Sequence, residues 1–89
     1  MTARKRLLLV AHAPSPNLAR LRDAVLEGAR DPEIETVETV SKPPLEAGPE
    51  DVMAAGAVIL GTPENLGYMS GALKDFFDRT YYAVIDDKQ

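Results

Sequence analysis

Two short stretches constrain the fold of this 89-residue chain more than anything else: "LLLVA" at Leu7–Ala11 and "AVIL" at Ala57–Leu60. Each is continuously apolar and shorter than a helix needs. Runs of that kind are expected of parallel strands covered on both faces, because a strand with one wet face alternates apolar and polar residues. The segments around them have a different character. From Leu18 the apolar residues Leu18, Leu21, Val25, Leu26 and Ala29 fall on one face of a helix. Ser15 or Asn17 can cap its start, and "GARDP" at Gly28–Pro32 stops it. Ile34–Val40, "IETVETV", is β-branched but mixed with Glu and Thr, which predicts a strand with a wet face at a sheet edge. "PEDVMAAG", Pro49–Gly56, predicts a short helix with proline in its first turn and acids beside it. Ser70 can cap a last helix whose buried face holds Leu73, Phe76, Phe77 and Thr80 or Tyr81.

The order β-α-β-α-β-α predicts an α/β fold, a doubly wound parallel sheet with helices on both faces. Ligands of such sheets bind beyond the carboxyl ends of the strands. Two loops lie there, His12–Asn17 and Thr62–Ser70, so the apolar strands serve as mounts for loops that carry function.

Composition narrows the function. The chain is 45% hydrophobic and 27% charged, an ordinary globular balance, and its length allows one domain. There is no cysteine, which excludes disulfides and thiolate chemistry and fits a reducing, cytoplasmic setting. One histidine leaves little for a transition-metal site. The net charge is −4, and the basic residues cluster only at Arg4, Lys5 and Arg6, too few for a nucleic-acid footprint. The apolar run behind that cluster is too short for a secretory leader, and no window approaches a membrane span.

The first loop leads into a helix N-terminus, where free backbone N–H groups and the helix dipole favour an anion. No Lys or Arg lies between Leu7 and Ala19, so neutral donors such as Ser15 and Asn17 would do the binding. On loop chemistry alone, simple helix caps are the plainer reading. The nucleotide-triphosphatase pattern G-x-x-x-x-G-K-[ST] and the dinucleotide fingerprint G-x-G-x-x-G are both absent. His12 stands where a phospho-acceptor domain would carry acids. It is a general acid or base, a ligand contact, or a bystander. In the second loop, Gly61, Gly67 and Gly71 permit close approach of backbone to a ligand. Asn65 and Leu66 can offer N–H groups to a flat heterocycle, and Tyr68 can stack on one. Lys74, Asp75, Asp78 and Arg79 read as a solvated helix face whose ion pairs contribute little.

"GTPENLGYMSGALKDFFDR" resembles the loop-and-helix segment of flavodoxin-like FMN proteins, especially the NAD(P)H-dependent FMN reductases and quinone reductases. Gly61, Thr62, Pro63, Gly67, Met69, Ser70, Gly71, Leu73, Lys74, Phe76 and Asp78 carry the match. "VAHAPSPNLARL" resembles, more weakly, the phosphate loop of the same family. The resemblance implies FMN as cofactor, NAD(P)H as co-substrate and a quinone or similar electron acceptor, with no catalytic side chain. It places His12, Ser15, Pro16, Asn17 and Leu18 around the FMN phosphate, and Pro63, Glu64, Asn65, Leu66 and Gly67 along the flavin ring. It also implies the strand order 2-1-3, the first three of the five strands in such sheets. Residues 1–89 then form the N-terminal portion of a single flavodoxin-like domain. An electron-carrier flavodoxin without substrate turnover is one alternative. A non-enzymatic half-fold acting through its sheet edge is the other.

In that order Ala57–Leu60 lies at an open edge without charge, proline or bulge, whereas the other edge carries Glu35 and Glu38. The chain is therefore expected to be a fragment of a longer domain, or to form a homo-oligomer by pairing through the Ala57–Leu60 edge.

Overall fold

A computed structural model describes residues 5–86. Arg4, part of the basic cluster, lies outside the described residues. The chain runs β1 (Lys5–Ala11), α1 (Pro16–Ala29), β2 (Val37–Lys42), α2 (Pro49–Ala54), β3 (Ala57–Gly61), β4 (Glu64–Asn65), β5 (Tyr68–Met69) and α3 (Gly71–Asp86). β1, β2 and β3 form a parallel sheet in the order β2-β1-β3, with Leu8 beside Val40 on one side and Val58 on the other. This is the expected flavodoxin-like arrangement.

Because side chains alternate across a strand, β1 feeds two faces. Leu8 and Val10 are fully buried in a cluster with Ala47, Leu73 and Phe76, against which Val52 and Phe77 pack, so α2 and α3 cover this face. Leu9 and Ala11 point the other way, toward Leu18, Leu21 and Val25 of α1. The helices thus lie on both faces.

The termini of the helices follow local chemistry. Ser15 caps α1, its Oγ accepting the Leu18 N–H at 3.2 Å, while Asn17 sits inside the first turn. Ser70 caps α3 by accepting the Leu73 N–H at 3.3 Å. In α2, Asp51 reaches back to the Gly48 N–H at 2.9 Å and also accepts from Lys42 Nζ at 2.8 Å. The Lys42 ammonium holds the Asp51 carboxyl below its ordinary value of 3.8, against the opposing effect of burial.

Four expectations change. The second strand begins at Val37 rather than Ile34 and runs on to Lys42. Asp31 explains the late start: it accepts the Glu33 N–H through its side chain and the Ile34 N–H through its carbonyl, turning the chain before the strand. The Thr62–Ser70 loop contains a small β-hairpin, Glu64–Met69. β3 is not covered on both faces: Val58, Ile59 and Leu60 are about 40% exposed, at 40%, 39% and 44%. Among the described residues nothing lies beyond its outer edge.

The fourth concerns Arg79. Its Nε pairs with Asp75 at 2.6 Å, as helix spacing foretells, but Nη1 and Nη2 donate to the carbonyls of Ala47 and Pro44 at 2.9 and 2.6 Å. Both residues are buried, so Arg79 ties the β2–α2 connection to α3 instead of sitting on a solvated face. Lys74, by contrast, pairs with Asp78 on the exposed side of α3. Of the two candidates for the end of the α3 core face, Thr80 is buried and Tyr81 is exposed.

Candidate functional site

The two loops singled out in the sequence leave the sheet side by side, at the carboxyl ends of β1 and β3. The His12 N–H donates to the Gly61 carbonyl at 2.9 Å, joining the start of the first loop to the end of β3. The approach is close: a Cβ on Gly61 would stand 3.2 Å from the Ala11 Cβ, so glycine keeps the two strand ends together. His12, Leu18, Gly61 and Thr62 line one groove, which Leu21 and Arg22 continue along α1.

The first loop supplies donors without cations. Pro16 occupies the first helical position and has no N–H, Leu18 spends its N–H on Ser15, and Asn17 lies in the first turn, outside the helix's own hydrogen-bond ladder. No acidic side chain stands in this first turn. His12 Nδ1 is buried and, among the described residues, has no hydrogen-bond partner. A buried ring nitrogen without a partner is costly unless something else meets it. α1 itself carries cations: Arg20 Nη1 donates to Asn17 Oδ1 at 3.0 Å, and Arg22 is engaged by Asp23 at 3.1 Å. These donors fit an anionic group of modest charge, such as a phosphate monoester.

The second loop is more rigid than its composition suggests. Glu64 pairs with Met69 and Asn65 with Tyr68, leaving Leu66 and Gly67 as a two-residue turn with φ of 53° and 76°. Two positive φ values suit a type I′ hairpin, and a leucine there is strained. Glu64 fastens the turn, its Oε2 accepting the Gly67 N–H at 2.9 Å. Thr62 Oγ1 accepts the Ser70 N–H and donates to the Pro63 carbonyl, both at 2.9 Å, which fastens the hairpin to the start of α3. Leu66 is wholly exposed at the tip, and Tyr68 is more than half exposed beside it. Thr62, Pro63, Glu64, Gly67 and Tyr68 line a shallow concavity under the hairpin. The ring-side candidates are therefore held on one element, while His12, Ser15, Pro16, Asn17 and Leu18 surround the start of α1.

Sequence reasoning passed over Thr62 and Arg20. Thr62 lines both the groove and the concavity. Its signal was its place in the G-[ST]-P match, directly after β3. Arg20 was hidden because it lies beyond the loop, as the fifth residue of α1, yet a side chain three positions after Asn17 lies back over the first turn.

Comparison with known proteins agrees with the geometry. The model of the NADPH-dependent FMN reductase family matches residues 8–89. A flavodoxin of Aquifex aeolicus (strain VF5) is 34% identical over 73 residues, covering 82% of this chain and 38% of that protein. A NAD(P)H dehydrogenase (quinone) of Archaeoglobus fulgidus is 32% identical over 97 residues, covering 84% and 51%. One of Acidithiobacillus ferrooxidans is 29% identical over 93 residues, covering 84% and 46%. The chain spans about half the length of these curated relatives, or less. With its β2-β1-β3 sheet and its two loops at the strand ends, the chain belongs to the NADPH-dependent FMN reductase family.

Proposed function

We propose that the chain is an FMN-binding oxidoreductase module, which uses NAD(P)H to reduce a quinone or a similar acceptor in the cytoplasm. One observation carries the reading: the two family loops converge where β1 and β3 end, stitched by His12 to Gly61, at the switch point of strand order where doubly wound sheets bind ligands. The Ser15 hydroxyl, the Asn17 N–H and side chain, and the first turn of α1 hold the phosphate, with His12, Pro16 and Leu18 closing around it. Pro63, Glu64, Asn65, Leu66 and Gly67 present the hairpin to the ring, and the Glu64–Gly67 bond keeps that hairpin in one shape. Bound FMN supplies hydride and single-electron chemistry. The chain's own residues anchor, orient and shield it. Residues 1–89 form the N-terminal portion of a flavodoxin-like domain.

A second reading, an electron carrier without substrate turnover, is favoured by the flavodoxin relative and by the net charge of −4, which suits docking to a basic redox protein. NADPH oxidation by the FMN-loaded chain, with and without a soluble benzoquinone, separates the two. Turnover that saturates with quinone supports the reductase, and reduction only by an added protein donor supports the carrier. The outer edge of β3 is free to take a further strand, from the same domain or from another chain, and is compatible with either.

A further inference from the structure

Arg20 is a cation that the fold itself leaves uncompensated. Among the described residues, Arg6, Arg22, Lys42, Lys74 and Arg79 each meet a carboxylate at 2.6 to 3.1 Å, and Arg20 meets none. Asp23 stands three positions after Arg20, at the spacing of a helical ion pair, but it takes Arg22 instead. Arg20 Nη1 turns back to Asn17 Oδ1 at 3.0 Å, over the first turn of α1. That end of a helix carries the positive pole of its dipole, so a cation leaning over it is disfavoured unless an anion is also there. No acidic side chain stands in that turn. The bond also fixes what Asn17 offers. A guanidinium has donors and no acceptor, so the atom that it meets is the amide oxygen, and Asn17 presents its NH₂ as a donor elsewhere.

We infer that Arg20 supplies the counter-charge for the phosphate of FMN and holds Asn17 as a donor to it, so that this arginine sets the preference for the phosphorylated flavin over riboflavin. The inference rests on the phosphate placement proposed above. A phosphate monoester carries about −1.5 to −2 at pH 7. The chain itself carries −4, and no Lys or Arg lies between Leu7 and Ala19. Neutral donors of the loop satisfy the phosphate oxygens but not their charge, and Arg20 brings a permanent cation to the same turn. Arg20 acts here as a binding and positioning residue, with no part in electron transfer. Both side chains of the pair are exposed, so it adds little to folding, and Arg20 can be changed without loss of the fold.

The test compares the wild type with Arg20→Met, which keeps the aliphatic stem without the charge, and with Arg20→Lys, which keeps the charge. FMN and riboflavin are titrated separately and followed by flavin fluorescence. FMN affinity is expected to fall at least tenfold in Arg20→Met and to return to within about threefold of wild type in Arg20→Lys, while riboflavin affinity stays within about twofold in both. Inorganic phosphate, added at constant ionic strength to the isotopically labelled chain, is expected to shift the Asn17 side-chain amide and the Leu18 N–H. In Arg20→Met the same shifts are expected to need at least tenfold more phosphate. Thermal unfolding of Arg20→Met is expected to match the wild type or lie slightly above it, because a cation leaves the positive pole of α1. Equal loss of FMN and riboflavin, unchanged FMN affinity in Arg20→Met, or a loss in Arg20→Lys as large as in Arg20→Met would overturn the inference. FMN binding that does not depend on Arg20 refutes this role and leaves the FMN reading standing. Phosphate binding that depends on Arg20, without FMN binding, supports the role and refutes the flavin reading. A wild type that responds to neither ligand refutes both.

Discussion

Lys74–Asp78 and Arg79–Asp75 are both i,i+4 ion pairs on α3 with an N–O distance of 2.6 Å, yet the structure gives them different weight. Replacing Lys74 by Met removes an exposed pair, which contributes about 0.3–0.5 kcal/mol. Replacing Arg79 by Met keeps the aliphatic stem but strips two donors from the carbonyls of Pro44 and Ala47, which are buried in the β2–α2 connection. A hydrogen bond to a charged group contributes about 1.5–3 kcal/mol. The Arg79 side chain is 38% exposed, so solvent screening brings each bond nearer ~1 kcal/mol. With the penalty for leaving the carbonyls unpaired, the expected loss is about 2–3 kcal/mol, or roughly 10–20 °C in melting temperature for a domain of this size. Arg79→Lys restores charge but not the planar fork and is expected to recover less than half. Urea denaturation followed by circular dichroism measures all three variants. Arg79→Met within ~0.5 kcal/mol of Lys74→Met would refute the reasoning, because it would mean that the fork to the connection contributes nothing beyond an ordinary surface pair.

Asn17→Asp places a carboxylate in the first turn of α1, where the dipole and Arg20 favour it, so stability is expected to hold or rise slightly. FMN affinity is expected to fall roughly tenfold by repulsion of the phosphate, as isothermal titration would read. Leu66→Asn relieves a leucine held at φ 53° and is expected to stabilise the hairpin by about 0.5–1 kcal/mol in thermal unfolding. Asp51 has a folded-state pKa below its unfolded value, so its contribution is present above about pH 4 and is lost as pH falls through the lowered folded value. Asp51→Asn is therefore expected to cost about 1 kcal/mol at pH 7 in urea denaturation and much less at pH 2–3.

Features set by local periodicity were legible in the chain. The offsets from Leu18 gave α1, the two apolar runs gave β1 and β3, and Ser70 gave the cap of α3. The 2-1-3 order and the exposed edge followed from the resemblance and the missing charges on "AVIL". Features set by turn geometry or by pairing at a distance were not. The start of β2 moved because Asp31 turns the chain before Val37, which strand propensity at Ile34 does not reveal. The hairpin at Glu64–Met69 was hidden because its turn is Leu-Gly rather than the usual Asn-Gly, so the strain at Leu66 could be seen only in φ. Arg79 looked like any surface arginine until its partners 32 and 35 residues away were placed. At the candidate site, residue types were readable and their adjacency was not: the His12–Gly61 bond depends on the register of β1 against β3.

The central claim is that one FMN bridges the start of α1 and the β4–β5 hairpin. Titrating FMN into isotopically labelled chain and following amide resonances tests it residue by residue. The account predicts saturable shifts with one FMN per chain, concentrated at His12, Ser15, Asn17 and Leu18 and at Asn65–Gly67, with inorganic phosphate reproducing only the first group. No shift at 1 mM FMN, or shifts confined to the grooves beside β3, would contradict it.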